Sequence, residues 1–222
     1  MTAMIRPIIP HLPYFYEIDA SNRIAFIVSS VVMLISVVLV ALLVGRYAAG
    51  KFDGNKKKTA LCFIGITALM TILLLCFFGC AAITVKGVIL CLVLVFSSYE
   101  DIKKRECDDY LHLMVVIAAF IGTELSSIPN MFITAMFAGG LMLLTMLITK
   151  SNIGGADIKM AAACSFLLGL NRGVIGLLVG MILAVVFNVF KKDKKKGFPM
   201  IPYLAVGYIR WQVRYKCLIL LL

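Results

Sequence analysis

Acidic side chains are scarce in this 222-residue chain, with 11 Asp and Glu against 22 Lys and Arg. Any chemistry built on carboxylates therefore has few places to reside. Cysteine offers no metal framework: none of the seven Cys forms a CxxC pair, which argues against a zinc site. Cys76 and Cys80 are one helical turn apart inside an apolar run, and the thiols read as small buried apolar side chains. Histidine is limited to His11, beside Pro10 and without an assigned role, and His112, whose spacing from Cys107 makes a poor Cys–His pair. The first 23 residues contain proline and lack a cationic start followed by a cleavage site, so they do not read as a removable signal peptide.

What is present in excess is apolar surface. At 62% hydrophobic residues and a mean hydropathy of +1.03, the chain exceeds what a soluble domain of this length can hide. The predicted fold class is all-α, a polytopic transmembrane helix bundle. Apolar runs of roughly 18 residues cross a hydrocarbon core of about 30 Å, and such runs fall near 24–45, 59–80, 82–98, 110–123, 131–149, 158–170, 173–190 and 200–209. The sixth and the last are short, which makes the expectation seven to eight spans. Residues 1–23 form an extracytoplasmic segment, 24–209 the transmembrane domain, and 210–222 a tail. Arg210, Arg214 and Lys216 interrupt that tail, so it lies at the interface or belongs to the last span.

Cations give the orientation. Arg46 with Lys51 and Lys56–Lys58, then Lys103–Arg105, then Lys150 with Lys159, then Lys191–Lys196, all fall on one side if the spans alternate. Only Arg6, Arg23, Lys86 and Arg172 fall on the other, and the positive-inside rule makes the crowded side the cytoplasm. The net charge of +11 then needs no nucleic-acid partner, because cationic loops face anionic lipid. Small and Met-rich stretches such as Met136–Met146, with Gly139 and Gly140, read as helix-packing surfaces. Nothing here sets an oligomeric state.

Against this background two acidic segments stand out: Glu100-Asp101, closing the third run, and Gly154-Gly155-Ala156-Asp157, opening the sixth. Both carboxylates are expected at cytoplasmic helix ends at similar depth, where an acid is a functional-site hypothesis. Gly154 and Gly155 would allow a tight turn and close helix approach. Asp157 would lie at a helix N-terminus, where the dipole favours its charge. Two carboxylates sharing a site cannot both ionise easily. The charged one can take a proton from an attacking water, and the neutral one can donate to the developing oxyanion, with no metal or cofactor.

Glu100 is a rival to Asp101, but adjacent residues point about 100° apart on a helix, so only one can face Asp157 well. Glu106, Asp108 and Asp109 surround the same position. They read either as a mixed-charge loop with Lys103, Lys104 and Arg105 or as attraction for a basic peptide. Lys159, two residues after Asp157, is expected to project away from the pair toward lipid phosphate or solvent.

The stretch Ser98-Tyr99-Glu100-Asp101-Ile102-Lys103-Lys104-Arg105-Glu106-Cys107-Asp108-Asp109-Tyr110-Leu111 resembles the first aspartate motif of type IV prepilin peptidases. Ile153-Gly154-Gly155-Ala156-Asp157-Ile158-Lys159-Met160, followed by Leu168-Gly169, is similar to that family's Gly-Gly-Gly-Asp-Val-Lys-Leu block, and Gly197-Phe198-Pro199 through Gly207 to its late apolar Pro segment. The resemblance is strongest over 59–209. It implies a membrane aspartyl protease of a prokaryotic plasma membrane that removes the basic leader of prepilins and pseudopilins at the cytoplasmic face. Asp101 and Asp157 match its catalytic aspartates; Gly154, Gly155 and Ala156 shape the site. Cys107-Asp108 departs from the family's Ile-Pro, and Ala156 from its third Gly. The loop Gly45–Lys58 has no room for the cysteine-rich domain of bifunctional members, so the resemblance implies cleavage without N-methylation, as in the peptidases of Tad/Flp pilus systems or related archaeal enzymes. On the residues alone, a secondary transporter using membrane-level acids and a presenilin-like intramembrane protease stay open. A transporter would place its acids nearer the midplane, and a presenilin-like protease would carry a Pro-Ala-Leu motif that the final span lacks. A catalytically dead scaffold of a secretion apparatus is the remaining reading.

Overall fold

The computed structural model describes residues 22–149, 154–190 and 199–214. The expected extracytoplasmic segment with His11, the cations Lys150 and Lys191–Lys196, and the end of the tail lie outside the described residues.

Among the described residues the chain is helical throughout. The helices are α1 (Arg23–Lys51), α2 (Lys56–Phe78), α3 (Ala82–Lys104), α4 (Asp109–Ala119), α5 (Ile128–Thr149), α6 (Gly155–Leu168), α7 (Leu170–Phe190) and α8 (Ile201–Arg214), with a single 3₁₀ turn at Leu125–Ser127. Five are long and apolar enough to cross a membrane: α1, α2, α3, α5 with its preceding turn, and α7. Among the described residues the other three are shorter: α4 has 11 residues, and α6 and α8 have 14 each. At 1.5 Å per residue they reach about 17–21 Å, well under a hydrocarbon core. The expected run 110–123 shortens because the chain turns at Phe120 and passes through Gly122 at φ 60. The run 82–98 lengthens instead, since α3 continues through Glu100 and Asp101 to Lys104.

Local chemistry sets several ends. Asn55 caps α2 by accepting from the backbone N–H groups of Lys57 and Lys58. α3 stops at Arg105, a non-glycine residue at φ 62, ψ 25, whose N–H donates to the Asp101 carbonyl. A left-handed residue with a Cβ costs about 1–2 kcal/mol. Here it reverses the chain so that residues 105–108 fold back beside Glu100.

One core joins the helices: Leu90 and Leu94 of α3, Leu111 and Val115 of α4, Met142 of α5, Met160 and Cys164 of α6, Leu177 of α7, and Leu204 and Tyr208 of α8. The Met136–Met146 stretch contributes Ala138 and Met142 to that core and sets Gly139 against Ala162, while Met136 faces outward. Cysteine departs from expectation. Cys91 and Cys164 are buried, but Cys62, Cys76 and Cys80 are exposed on α2 and just after it. A helix apolar all round does not reveal which side meets lipid.

α7 and α8 cross closely. A Cβ on Gly207 would stand 2.7 Å from the Gly180 nitrogen, and one on Gly180 would stand 2.8 Å from the Leu204 Cα. Bulk at either position would push the two helices apart. The Tyr208 hydroxyl donates to the Ala161 carbonyl at 3.1 Å and lies 3.3 Å from Ser165 Oγ, so α8 is also tied to α6.

Candidate active site

The end of α3 and the starts of α4, α6 and α8 converge. Asp101, in the last turn of α3, is only 7% exposed. Its Oδ2 accepts from the backbone N–H of Ile201 at 3.1 Å, and the Met200 N–H also points to it. Ile201 opens α8 and Pro202 follows it, so this helix begins with amides that have no partner in their own helix. Asp101 supplies that partner from another helix. At the negative end of its own helix dipole, it is held by the positive end of another.

Glu100 faces elsewhere. It is 2% exposed, its Oε1 lies 2.9 Å from Lys51 Nζ, and its Oε2 accepts from the Asp108 N–H at 3.2 Å. Lys51 also reaches Asp108 Oδ2 at 2.6 Å. That lysine holds the Asp108 carboxyl below its ordinary range. Glu100 thus ties the end of α1 to α3 and to the loop after it.

Asp157 is the third residue of α6, with Gly154 as the N-cap. Its backbone N–H donates to the Gly154 carbonyl at 3.0 Å, and its carboxylate accepts from the Gly154 N–H. This is half of a capping box, with the acid reaching back to the cap. The expectation of a glycine-enabled tight turn is not met. Gly154 has φ −66, ψ 141, neither Gly154 nor Gly155 has a positive φ, and a Cβ on Gly155 would meet nothing within 4 Å. Gly154 instead makes room: a Cβ there would stand 3.2 Å from Asp157 Oδ2.

The helix N-terminus does not win the electrostatics either. Burial first, and the nearby charge of Asp101 second, push the Asp157 carboxyl up to about 7, against the opposing Gly154 N–H. An N-terminal dipole is worth about 0.3–1 kcal/mol, whereas about three pKa units correspond to some 4 kcal/mol. No hydrogen bond links Asp101 and Asp157 among the described residues. They interact as charges.

The remaining acids are differently placed. Asp109 Oδ1 lies 2.7 Å from Lys159 Nζ, which lowers its carboxyl, while Glu106 is exposed. Lys159 was expected to meet lipid phosphate or solvent; it bridges α6 to α4 instead, because the short α4 begins at Asp109 beside the first turns of α6. Burial pushes the half-buried Cys107 thiol up to about 12, leaving it a poor nucleophile. His112 does not partner it: Nε2 lies 3.0 Å from the Ala156 carbonyl.

Lys51, His112 and the Ile201 amide were not visible as site components in the sequence. Of the three, only the Ile201-Pro202 helix start left a local signal, since proline in a first turn marks amides left free.

These features define a class: an all-helical membrane protein with an electrostatically linked pair of carboxylates, one buried and one half-buried, where helix ends meet. Residues 88–189 match the type IV leader peptidase family, a stretch that runs from α3 to the end of α7 and contains both Asp101 and Asp157. Over this stretch the chain is similar to that family, and the match supports a protease of the leader-peptidase type. Comparison with curated proteins and with solved structures returned no match.

Proposed function

We propose that this protein is an integral-membrane aspartyl endopeptidase that removes the basic leader from prepilin- or pseudopilin-like proteins at the cytoplasmic membrane face, without methylating the new N-terminus. One observation carries the reading: Asp157, raised to about 7 by burial and by the charge of Asp101, shares the matched family stretch with it. Near neutral pH such a pair holds about one proton between its members and titrates as a unit. The charged member takes a proton from water as its oxygen attacks the scissile carbonyl, and the protonated member donates to the oxyanion. No cofactor enters this scheme. Gly154 leaves space at the Asp157 carboxylate, and Gly155 and Ala156 are the two helical residues that precede it.

Glu106, Asp108 and Asp109 are the candidate contacts for a basic leader. Asp108 and Asp109 already have Lys51 and Lys159 as partners, so a leader cation competes for them and finds Glu106 exposed. The cytoplasmic assignment rests on the clustering of Lys and Arg at the loops that border both aspartates.

The test is co-expression with a candidate prepilin, comparing the wild type with Asp101→Asn and Asp157→Asn. Processing that survives either substitution removes the dyad mechanism. Incubation of the purified protein with prepilin and S-adenosylmethionine tests the second part, since a methylated product refutes cleavage without methylation.

A further inference from the structure

We propose that His112 is a positioning residue for Asp157, holding the first turn of α6 in register against α4 through the carbonyl of Ala156. The inference rests on the peptidase reading for its catalytic consequence, but its geometry stands apart from that reading.

A carbonyl oxygen can only accept, so the 3.0 Å contact requires His112 Nε2 to carry the proton and donate it to Ala156. The tautomer is thereby set. Nδ1 is left buried without a hydrogen-bond partner, with Asp109 Oδ1 3.8 Å away, beyond bonding range. Burying an imidazole with one nitrogen unsatisfied is a cost that a leucine of similar bulk would avoid. Packing alone therefore does not account for His112; the donated hydrogen bond does.

The bond is one of two rungs between the same helix faces. Asp109 and His112 are three apart on α4, Ala156 and Lys159 three apart on α6, and the second rung is the Lys159–Asp109 pair. That outer rung is weak, because its side chains are 58% and 78% exposed. His112 is 7% exposed, so the buried rung is the one that holds register. Asp157 follows Ala156 and is turned about 100° from it around α6. Rotation of α6 about its axis consequently carries Asp157 toward or away from Asp101. A carboxylate about 5 Å from the helix axis moves roughly 2 Å for a 20° rotation, and misplacement of about 1 Å can cost on the order of 100-fold in rate. His112 needs no contact with substrate to control the pair.

The experiment uses the full-length protein in detergent with a prepilin substrate, and reads kcat, KM and the titration midpoint of Asp157 by carboxyl-carbon NMR. The charged or titratable groups facing His112 are Asp109 of α4 and Lys159 of α6, and both stay unchanged. His112→Leu is expected to lower kcat about 10- to 100-fold with KM within about twofold, and to lower the Asp157 midpoint as α6 loosens. His112→Gln, whose amide nitrogen reaches the Nε2 position, is expected to keep kcat within about threefold of wild type. His112→Asn, one methylene shorter, is expected to behave like Leu, and the Gln–Asn comparison decides the matter if the Leu variant does not fold. Equal kcat in the Gln and Asn variants overturns the proposal, as does a Leu variant with wild-type kcat and midpoint. The two readings fail separately: a wild type that cleaves no prepilin removes the peptidase reading, while the Asp157 midpoints, assigned by the signal that Asp157→Asn loses, still decide the role of His112.

Discussion

The end of α3 and the start of α6 each present one carboxylate, and the two are held by opposite means. Asp101 lies at the end of its own helix where a negative charge is disfavoured, yet it accepts from the first amides of α8. Asp157 lies at the end where a negative charge is favoured and is capped by Gly154, yet its carboxyl is raised to about 7. Local helix position therefore does not predict Asp157. The tertiary surroundings matter more: the first amides of another helix hold Asp101 in place, and burial with a like charge raises Asp157. Two carboxylates that share a site cannot both ionise easily, which is the requirement for dividing base and acid roles between them.

The largest expected effect is on cleavage, and it treats the two alike. Asp101→Asn and Asp157→Asn should each lower kcat by about 1000-fold or more with prepilin processing as the readout. Residual processing within tenfold of wild type in either variant would break the pairing on which the comparison rests.

Stability should then separate them. A carboxyl with a folded pKa of about 7 against about 3.9 unfolded binds more protons in the folded state between those values. Stability from this group is thus complete below about pH 4 and is lost as pH rises through 7. Asp157→Asn, neutral throughout, should stabilise the protein relative to wild type at pH 8 by about 2–4 kcal/mol, and by almost nothing at pH 4. Thermal unfolding in detergent at the two pH values checks this. Asp101→Ala should do the reverse, lowering the melting temperature by leaving the Ile201 amide buried without its acceptor.

The comparison also shows what a sequence can disclose. The two aspartates were legible because acids are rare here and each borders an apolar run, and the difference in facing between Glu100 and Asp101 follows from the 100° step of a helix. The helix positions were legible for the same reason, but their ends were not. Glu100 and Asp101 were expected to close the third helix, whereas α3 runs on to Lys104, with Glu100 buried against Lys51 and Asp101 against the start of α8. α4 and α6 read as spans because hydropathy reports composition, not length: α4 stops before the turn at Gly122, and α6 stops at Gly169, φ 77. The exposure of the thiols of α2 was illegible because that helix is apolar on every side. Lys51, His112 and the Ile201 amide come from distant parts of the chain, and no local pattern joins them to the aspartates.

A substitution remote from both carboxylates can sharpen the contrast. Gly207→Leu places bulk where a Cβ already meets Gly180 N at 2.7 Å, at an overpacking cost of about 1–3 kcal/mol. α8 should shift and take the Ile201 amide away from Asp101. We expect kcat to fall about tenfold while the Asp157 midpoint stays near 7, because nothing at the start of α6 moves directly. A midpoint that shifted with kcat would mean that the two ends form one mechanical unit, through Tyr208 and Ala161.

The smallest expected effect concerns the lysine that occupies the acids beside Asp101. Lys51→Gln leaves Glu100, 2% exposed, with the Asp108 N–H as its remaining donor, and frees Asp108. Loss of one partner from a buried acceptor costs about 1–3 kcal/mol, so the melting temperature should fall by a few degrees. Catalysis should respond differently. If Asp108 receives a leader cation, removing its lysine competitor lowers KM for a basic leader by about two- to threefold with kcat unchanged, and the gain disappears when Asp108→Asn is added. An unchanged KM would assign Asp108 to the structural tie among α1, α3 and their loop, and would leave Glu106 as the acid open to a leader.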